Sequence, residues 1–339
     1  LVLVAVEEPF DWDQIPPAGH VDVMDFGRLP EFHGGLRQRG LRPTYALDYI
    51  AADGVGAEFL GWLERDEALL GAHLHPWVNP PFGTPAEEHS FAPNLPGGLE
   101  QEKMTSLVER IRARCGRSPL LYQAGRYGIG ARTVASLPGL GLCVDASLSP
   151  GFDYRSSGGP DFRRFDSAPR WYRGGQVLSV PVTGGYLGAL GAYGAQLQGL
   201  AEAPLARALR LPACLDRLGL YGRLRLSPEG NSLLDLQRLT LALLRRGERL
   251  FTLYLHSSSL VAGATGYAKD AAGVSAMLAR SWAYVDWFRD ALGGQFRDHR
   301  EVWEWAQAGR PTSTTENSGA DTKSVPSEFV ARRRASQQL

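Results

Sequence analysis

The sequence predicts an α/β fold in which parallel strands alternate with helices, as a barrel or a wound sheet. Three observations carry that expectation. Seven short apolar runs are each followed by Gly/Pro punctuation and then by a stretch with helical spacing. Several of these runs end in titratable residues, at Glu7, His73, His75 and His256, which is where parallel α/β folds build sites. The chain, 339 residues and 44% hydrophobic, is long enough for one large barrel core.

The first run, residues 1–6 (LVLVAV), is continuously apolar, as a strand covered on both faces requires. Residues 44–47 and 69–74 are the next two strands, with a helical stretch at 57–65 between them. A long helical stretch at 99–115 leads to a strand at 120–122, and further strands are expected at 142–144 and 177–182. The clearest helix is 233–246, where Leu233, Leu236, Leu243 and Leu244 keep a 3.6-residue period. Gly247 stands where a helix C-cap would precede the last strand, 250–256. A final helical stretch covers 274–292. Residues 78–98 are too proline-rich for regular structure and long for a passive connection, so they form a candidate substrate-side loop. The sequence therefore divides into one barrel domain at 1–307 and a polar, basic tail at 308–339, expected to be flexible.

Charge is balanced, with 36 basic and 36 acidic side chains, so no global field attracts nucleic acid or an anionic bilayer, and no nucleic-acid partner is expected. Three cysteines, Cys115, Cys143 and Cys214, form no CxxC pair and indicate neither a disulfide framework nor a cysteine zinc ribbon. The longest uncharged stretch, 174–201, is interrupted by glycines and by Gln176, Gln196 and Gln198, so no membrane span is expected. The opening LVLVAVEEPF reads as a strand and not as a signal peptide, which sets a cytoplasmic expectation, or a periplasmic or exported one if a leader was removed.

The most informative segment is GAHLHPW. His73 and His75, two apart at a strand end, point to one face, so both imidazoles can converge on one metal ion; the plainer reading is a pair of neutral buried histidines satisfied by backbone groups. Glu7, ending the first strand, can add a carboxylate oxygen, and two His, one Glu and an open position make a catalytic zinc pattern. His256 ends the strand in LFTLYLHSSSL and is placed to be a general acid or a third imidazole, or else a hydrogen-bonded core residue. Asp145, ending another strand, can hold the His256 ring and raise its pKa, or serve as a turn or N-cap aspartate.

The segments AVEEPFDW, RPTYALDY, GAHLHPWVNPP, YQAGRYGIG, VDASLSP, GPDF and YLHSSSL, in that order, resemble the polysaccharide deacetylases of the NodB-homology type, carbohydrate esterase family 4, in a branch with a glutamate-bearing first motif. The resemblance spans about residues 1–305. It implies a distorted (β/α) barrel of about seven strands, a divalent metal that is commonly zinc, and hydrolysis of N-acetyl groups on an amino sugar or polysaccharide. By motif, Glu7, His73 and His75 resemble the metal ligands, His256 the acid that protonates the leaving amine, and Asp145 the aspartate that tunes it. Two positions depart from the pattern: Ala5 stands where the family has its base aspartate, and Gln123 where it has the arginine that steadies that aspartate. A lone guanidinium left by loss of the base would be costly, so the two changes read as coupled. A positioned base is worth about 10²–10⁴ in rate. Glu8, Asp11 and Asp13 are candidate substitutes; Arg126 and Tyr127 are candidates to bind an acetyl oxygen or sugar hydroxyls; Trp12, Trp77 and Tyr267 are candidates to stack on pyranose faces. Beside the N-deacetylase reading stand a degenerate member that binds glycan or metal without turnover, and a hydrolase of another C–N or ester bond.

Overall fold

The structure is a computed structural model and describes residues 1–8, 25–82, 87–172 and 174–309. Among the described residues ten strands run β1 (Val2–Val6), β2 (Thr44–Leu47), β3 (Leu69–Leu74), β4 (Leu121–Ala124), β5 (Val144–Asp145), β6 (Arg170–Trp171), β7 (Leu178–Ser179), β8 (Gly184–Leu187), β9 (Gly222–Arg225) and β10 (Leu253–His256). Eight of them make one curled sheet in the order β10-β1-β2-β3-β4-β5-β7-β6. From β10 to β7 every pairing is parallel, and only β6 runs against its neighbour. The fold class read from the sequence is the one observed, and all seven expected strands are present. Strands β1, β2 and β3 are buried along their whole length, which their unbroken apolar runs require.

The helices Ala57–Arg65 and Leu99–Cys115 stand where their periodicity places them. The last long helix starts earlier than its apolar spacing, at Ala271, because the Asp270 side chain caps the Gly273 amide at 2.8 Å. Gly247 follows the helix Leu233–Arg245 at φ +92°, a conformation that suits glycine at that stop.

The antiparallel pair β8–β9 lies between the β7 side and β10. The Val182 amide donates to the Leu148 carbonyl at 3.2 Å and the Leu226 amide to the Thr183 carbonyl at 2.8 Å. On the other side Tyr254 donates to Leu226 at 3.0 Å, and the Thr252 amide to Thr183 Oγ1 at 2.8 Å. These contacts bridge the open side of the sheet and bring the segment after β9 alongside the end of β10. No helix among the described residues is long and apolar enough to cross a membrane. The expected tail, residues 308–339, lies almost wholly outside the described residues.

Candidate metal and acid site

Strand register explains why distant residues meet. Ala5 is opposite Ala46 on one side and His256 on the other, Ala46 is opposite Gly71, and His73 is opposite Gln123. In a parallel sheet in-register residues share a face, so His73, Gln123 and His256 rise from the inner face around a floor of Ala5, Ala46 and Gly71. Glu7 and His75 come just beyond the ends of β1 and β3.

Glu7, His73 and His75 converge as expected. Glu7 Oε2 is 3.3 Å from His73 Nε2 and 3.4 Å from His75 Nε2, with all three side chains buried. The opposite edge of each imidazole is occupied by an acceptor. His73 Nδ1 lies 3.2 Å from the Gln123 carbonyl oxygen, and His75 Nδ1 lies 2.9 Å from a Glu8 carboxylate oxygen. Each Nδ1 therefore carries the proton, and each Nε2 turns a lone pair toward Glu7. Burial, reinforced by His75 and His256, holds the His73 pKa well below the usual imidazole value, so its ring stays neutral. Two imidazole lone pairs and one carboxylate oxygen directed at a common point, in the tautomers that ligation needs, fit a divalent cation such as zinc.

Glu8, a loop carboxylate and candidate base in the sequence, is buried and hydrogen-bonded to His75 and Trp77. The strand ends at Val6, which frees Glu8 from pleat parity, and its carboxylate accepts from His75 Nδ1 and from Trp77 Nε1 at 2.8 Å. Trp77, a candidate to stack on a sugar, is buried with its ring on His75 at 4.3 Å, so His75 covers one of its two faces. Asp48, which the sequence reading did not single out, accepts from the Glu8 amide at 2.8 Å and caps the helix Tyr49–Gly54. Burial and the neighbouring Glu8 push its carboxyl well above the usual range; burial brings Glu8 itself up to about 7. Glu8, Asp48 and His75 Nδ1 also lie within ligand distance of one another. Their facing atoms are already engaged by N–H donors, which makes them a scaffold for the first group.

His256 stands at the end of β10 with its side chain 15% exposed, against 3% or less for Glu7, His73 and His75. It is the member of the site that a ligand can touch. Its Nδ1 is 3.0 Å from Glu229 Oε2, its amide donates to Glu229 Oε1 at 2.9 Å, and its Nε2 is 2.9 Å from the Tyr254 hydroxyl. Burial opposes protonation, but the Glu229 and Glu7 carboxylates outweigh it and raise the pKa to about 9. The expected partner, Asp145, does not hold this ring. Its oxygens accept from Ser147 Oγ at 2.5 Å and Tyr172 Oη at 2.7 Å, and burial raises its pKa to about 6. β5 ends too far round the sheet from β10, and the segment after β9 fills that place with Glu229. The signal available in the sequence was the alternation of Arg223, Leu224, Arg225 and Leu226 just before SPEG.

The two departed positions lie on the inner face, with Ala46, Gly71 and His73, the residue opposite Gln123, on the strands between them. Gln123 is fully buried and neither polar atom of its amide has a hydrogen-bond partner. Arg126 and Tyr127 both adopt left-handed backbone conformations, at φ +52° and +62°, unusual for non-glycine residues and concentrated at sites. Arg126 donates to Ser90 Oγ at 3.0 Å and stacks over Phe91. Tyr127 is buried against Tyr154, with ring centroids 5.5 Å apart. Tyr267 is half exposed, 52%, at the rim. Asp11, Trp12 and Asp13 lie outside the described residues.

No protein-family model matches this chain, and no curated protein matches it. Among solved structures it is similar to a protein from Mycobacterium smegmatis provisionally designated a polysaccharide deacetylase, at 13% identity and TM-score 0.46, covering 90% of this chain and 100% of that one. It is similar to a family 4 carbohydrate esterase from Streptomyces lividans at 14% identity and TM-score 0.28, covering 44% of this chain and 62% of that one, less than two thirds of its length. A chitin deacetylase from Colletotrichum lindemuthianum matches at 16% identity and TM-score 0.30, covering 54% of this chain and 73% of that one.

Proposed function

We propose that this protein is a metal-dependent hydrolase that removes N-acetyl groups from an amino sugar or polysaccharide. The observation that carries the reading is the convergence of Glu7 Oε2 and the two imidazole Nε2 atoms, with their N–H groups turned outward, beside a protonated histidine on the neighbouring strand. Glu7, His73 and His75 would hold a divalent cation, most simply zinc, which when bound would supply Lewis acidity toward an acyl oxygen and toward water. Glu8 and the Gln123 carbonyl fix the two imidazole tautomers. Water adds to the acetyl carbon and gives up its protons to bulk solvent, the C–N bond breaks, and His256 delivers its Nε2 proton to the departing nitrogen and is recharged from solvent, leaving acetate and a free amine. Glu229 keeps that imidazole charged until the proton is needed.

The test is acetate release from N-acetylated glycans by zinc-loaded protein, with His256→Ala abolishing it. A second reading, glycan or metal binding without turnover, is favoured by Ala5 and by the unpartnered Gln123 amide. It predicts affinity without release in the native chain and gain of release in the pair Ala5→Asp with Gln123→Arg.

A further inference from the structure

Arg225, at the end of β9, has no task in the reaction just described. Its guanidinium lies 4.4 Å from the ring centroid of Tyr127 and 4.4 Å from that of Phe152, and it donates to Ser149 Oγ at 2.8 Å and Tyr154 Oη at 2.7 Å. Nε is shielded from water and has no hydrogen-bond partner. Among the described residues no carboxylate forms an ion pair with it, whereas Arg223, two residues earlier, pairs with Glu202 at 2.9 Å. Withdrawing a cation from water without an anion is unfavourable. The planar guanidinium, held against these rings, spends Nη2 on the two hydroxyls and leaves Nη1 as the N–H group that can meet a carboxylate.

The surroundings point the same way. Ser149 Oγ and Tyr154 Oη are 3.1 Å apart, so one hydroxyl proton bridges them and the other remains to donate to a ligand. The cluster adjoins the acid: the Tyr127 ring is 6.3 Å from that of Tyr254, whose hydroxyl meets His256 Nε2. The Arg225 charge also works against protonation of His256, so the two cations are within electrostatic reach.

We infer that Arg225 receives a carboxylate carried by the substrate, so that the glycan this site takes is an acidic one, with a carboxylate next to the N-acetylated sugar. The inference deepens the deacetylase reading and rests on it for the acetamido half of the substrate; the anion subsite is read from Arg225 itself. The product acetate is the other source of a carboxylate at this place.

The experiment is calorimetric titration of the zinc-loaded full chain with three probes: an N-acetylhexosamine–uronate disaccharide, the same disaccharide with its carboxylate reduced to the alcohol, and sodium acetate. The uronate form is expected to bind at least about tenfold more tightly than the reduced form. That ratio is expected to fall to near one in Arg225→Gln and to an intermediate value in Arg225→Lys, and acetate is expected not to displace the disaccharide at equal concentration. Equal or undetectable binding of the two disaccharides, a ratio that survives Arg225→Gln, or Arg225-dependent binding of acetate alone overturns the inference. Thermal unfolding checks that each variant is folded; if Arg225→Gln is not, Arg225→Lys and Tyr154→Phe carry the comparison, and an unchanged ratio in both overturns it. Acetate release separates the two claims. Equal release from both disaccharides keeps the deacetylase and removes the acidic specificity, and Arg225-dependent binding without release does the reverse.

Discussion

At the scale of single residues, the site depends on which atom of each imidazole carries a proton. Glu8 fixes the His75 tautomer by accepting from Nδ1, and such partners typically set metal affinity within about 10–100-fold. Glu8→Gln, which can turn an amide nitrogen toward the ring, is expected to weaken zinc binding by about that factor, measured by competition with a chelating dye. Glu229 does the corresponding work for His256. Its charge is the main influence raising an imidazole that burial alone would lower. The pKa is raised above the ordinary value of about 6.5, so the stabilisation from this pair is full below that value and is lost as pH rises through about 9. Activity that needs the protonated ring follows the same sign. Glu229→Gln is expected to move the alkaline limb of acetate release to lower pH by more than one unit, and a limb that stays in place would show that His256 is not the proton donor. The sequence made Glu7, His73, His75 and His256 legible because each closes an apolar run. It left Glu229 and Asp48 hidden, since a carboxylate in a polar turn looks the same whether it is solvated or aimed at a buried imidazole.

At the scale of elements, legibility followed burial. Strands covered on both faces have continuous apolar runs, and helices between them have a 3.6-residue period, so both were readable. The pair β8–β9 was not, because Gly184 and Gly185 carry no side chain to mark alternation and β9 is half arginine. The helix Leu233–Arg245 shows how local chemistry fixes an end: the Ser232 side chain accepts from the Asp235 amide while Asp235 returns the bond to the Ser232 amide. Ser232→Ala is expected to destabilise the protein by about 1 kcal/mol in denaturant titration, with acetate release at saturating substrate unchanged. A loss well under half of that would mean the helix is held by its leucine face alone.

For the whole molecule, a curled sheet of seven parallel strands leaves an open side, and the β8–β9 pair spans it. This arrangement brings Glu229 to His256, so that pair and the closure of the sheet depend on the same segment. Thr183 is the pivot, accepting from Leu226 through its carbonyl and from Thr252 through Oγ1. Thr183→Val removes the Oγ1 acceptor and leaves the buried Thr252 amide unpaired, an expected loss of about 1–3 kcal/mol with a downward shift in the His256 pKa. Unchanged stability would place the closure elsewhere. The central claim is that residues from two strand ends, brought together by this sheet, hold one divalent cation. Elemental analysis of the purified, zinc-loaded and dialysed protein tests it most directly, alongside His73→Ala shown to be folded by circular dichroism. The account predicts close to one zinc per chain in the native protein and none in the variant. A native protein that retains no zinc, or a variant that retains as much, would contradict it.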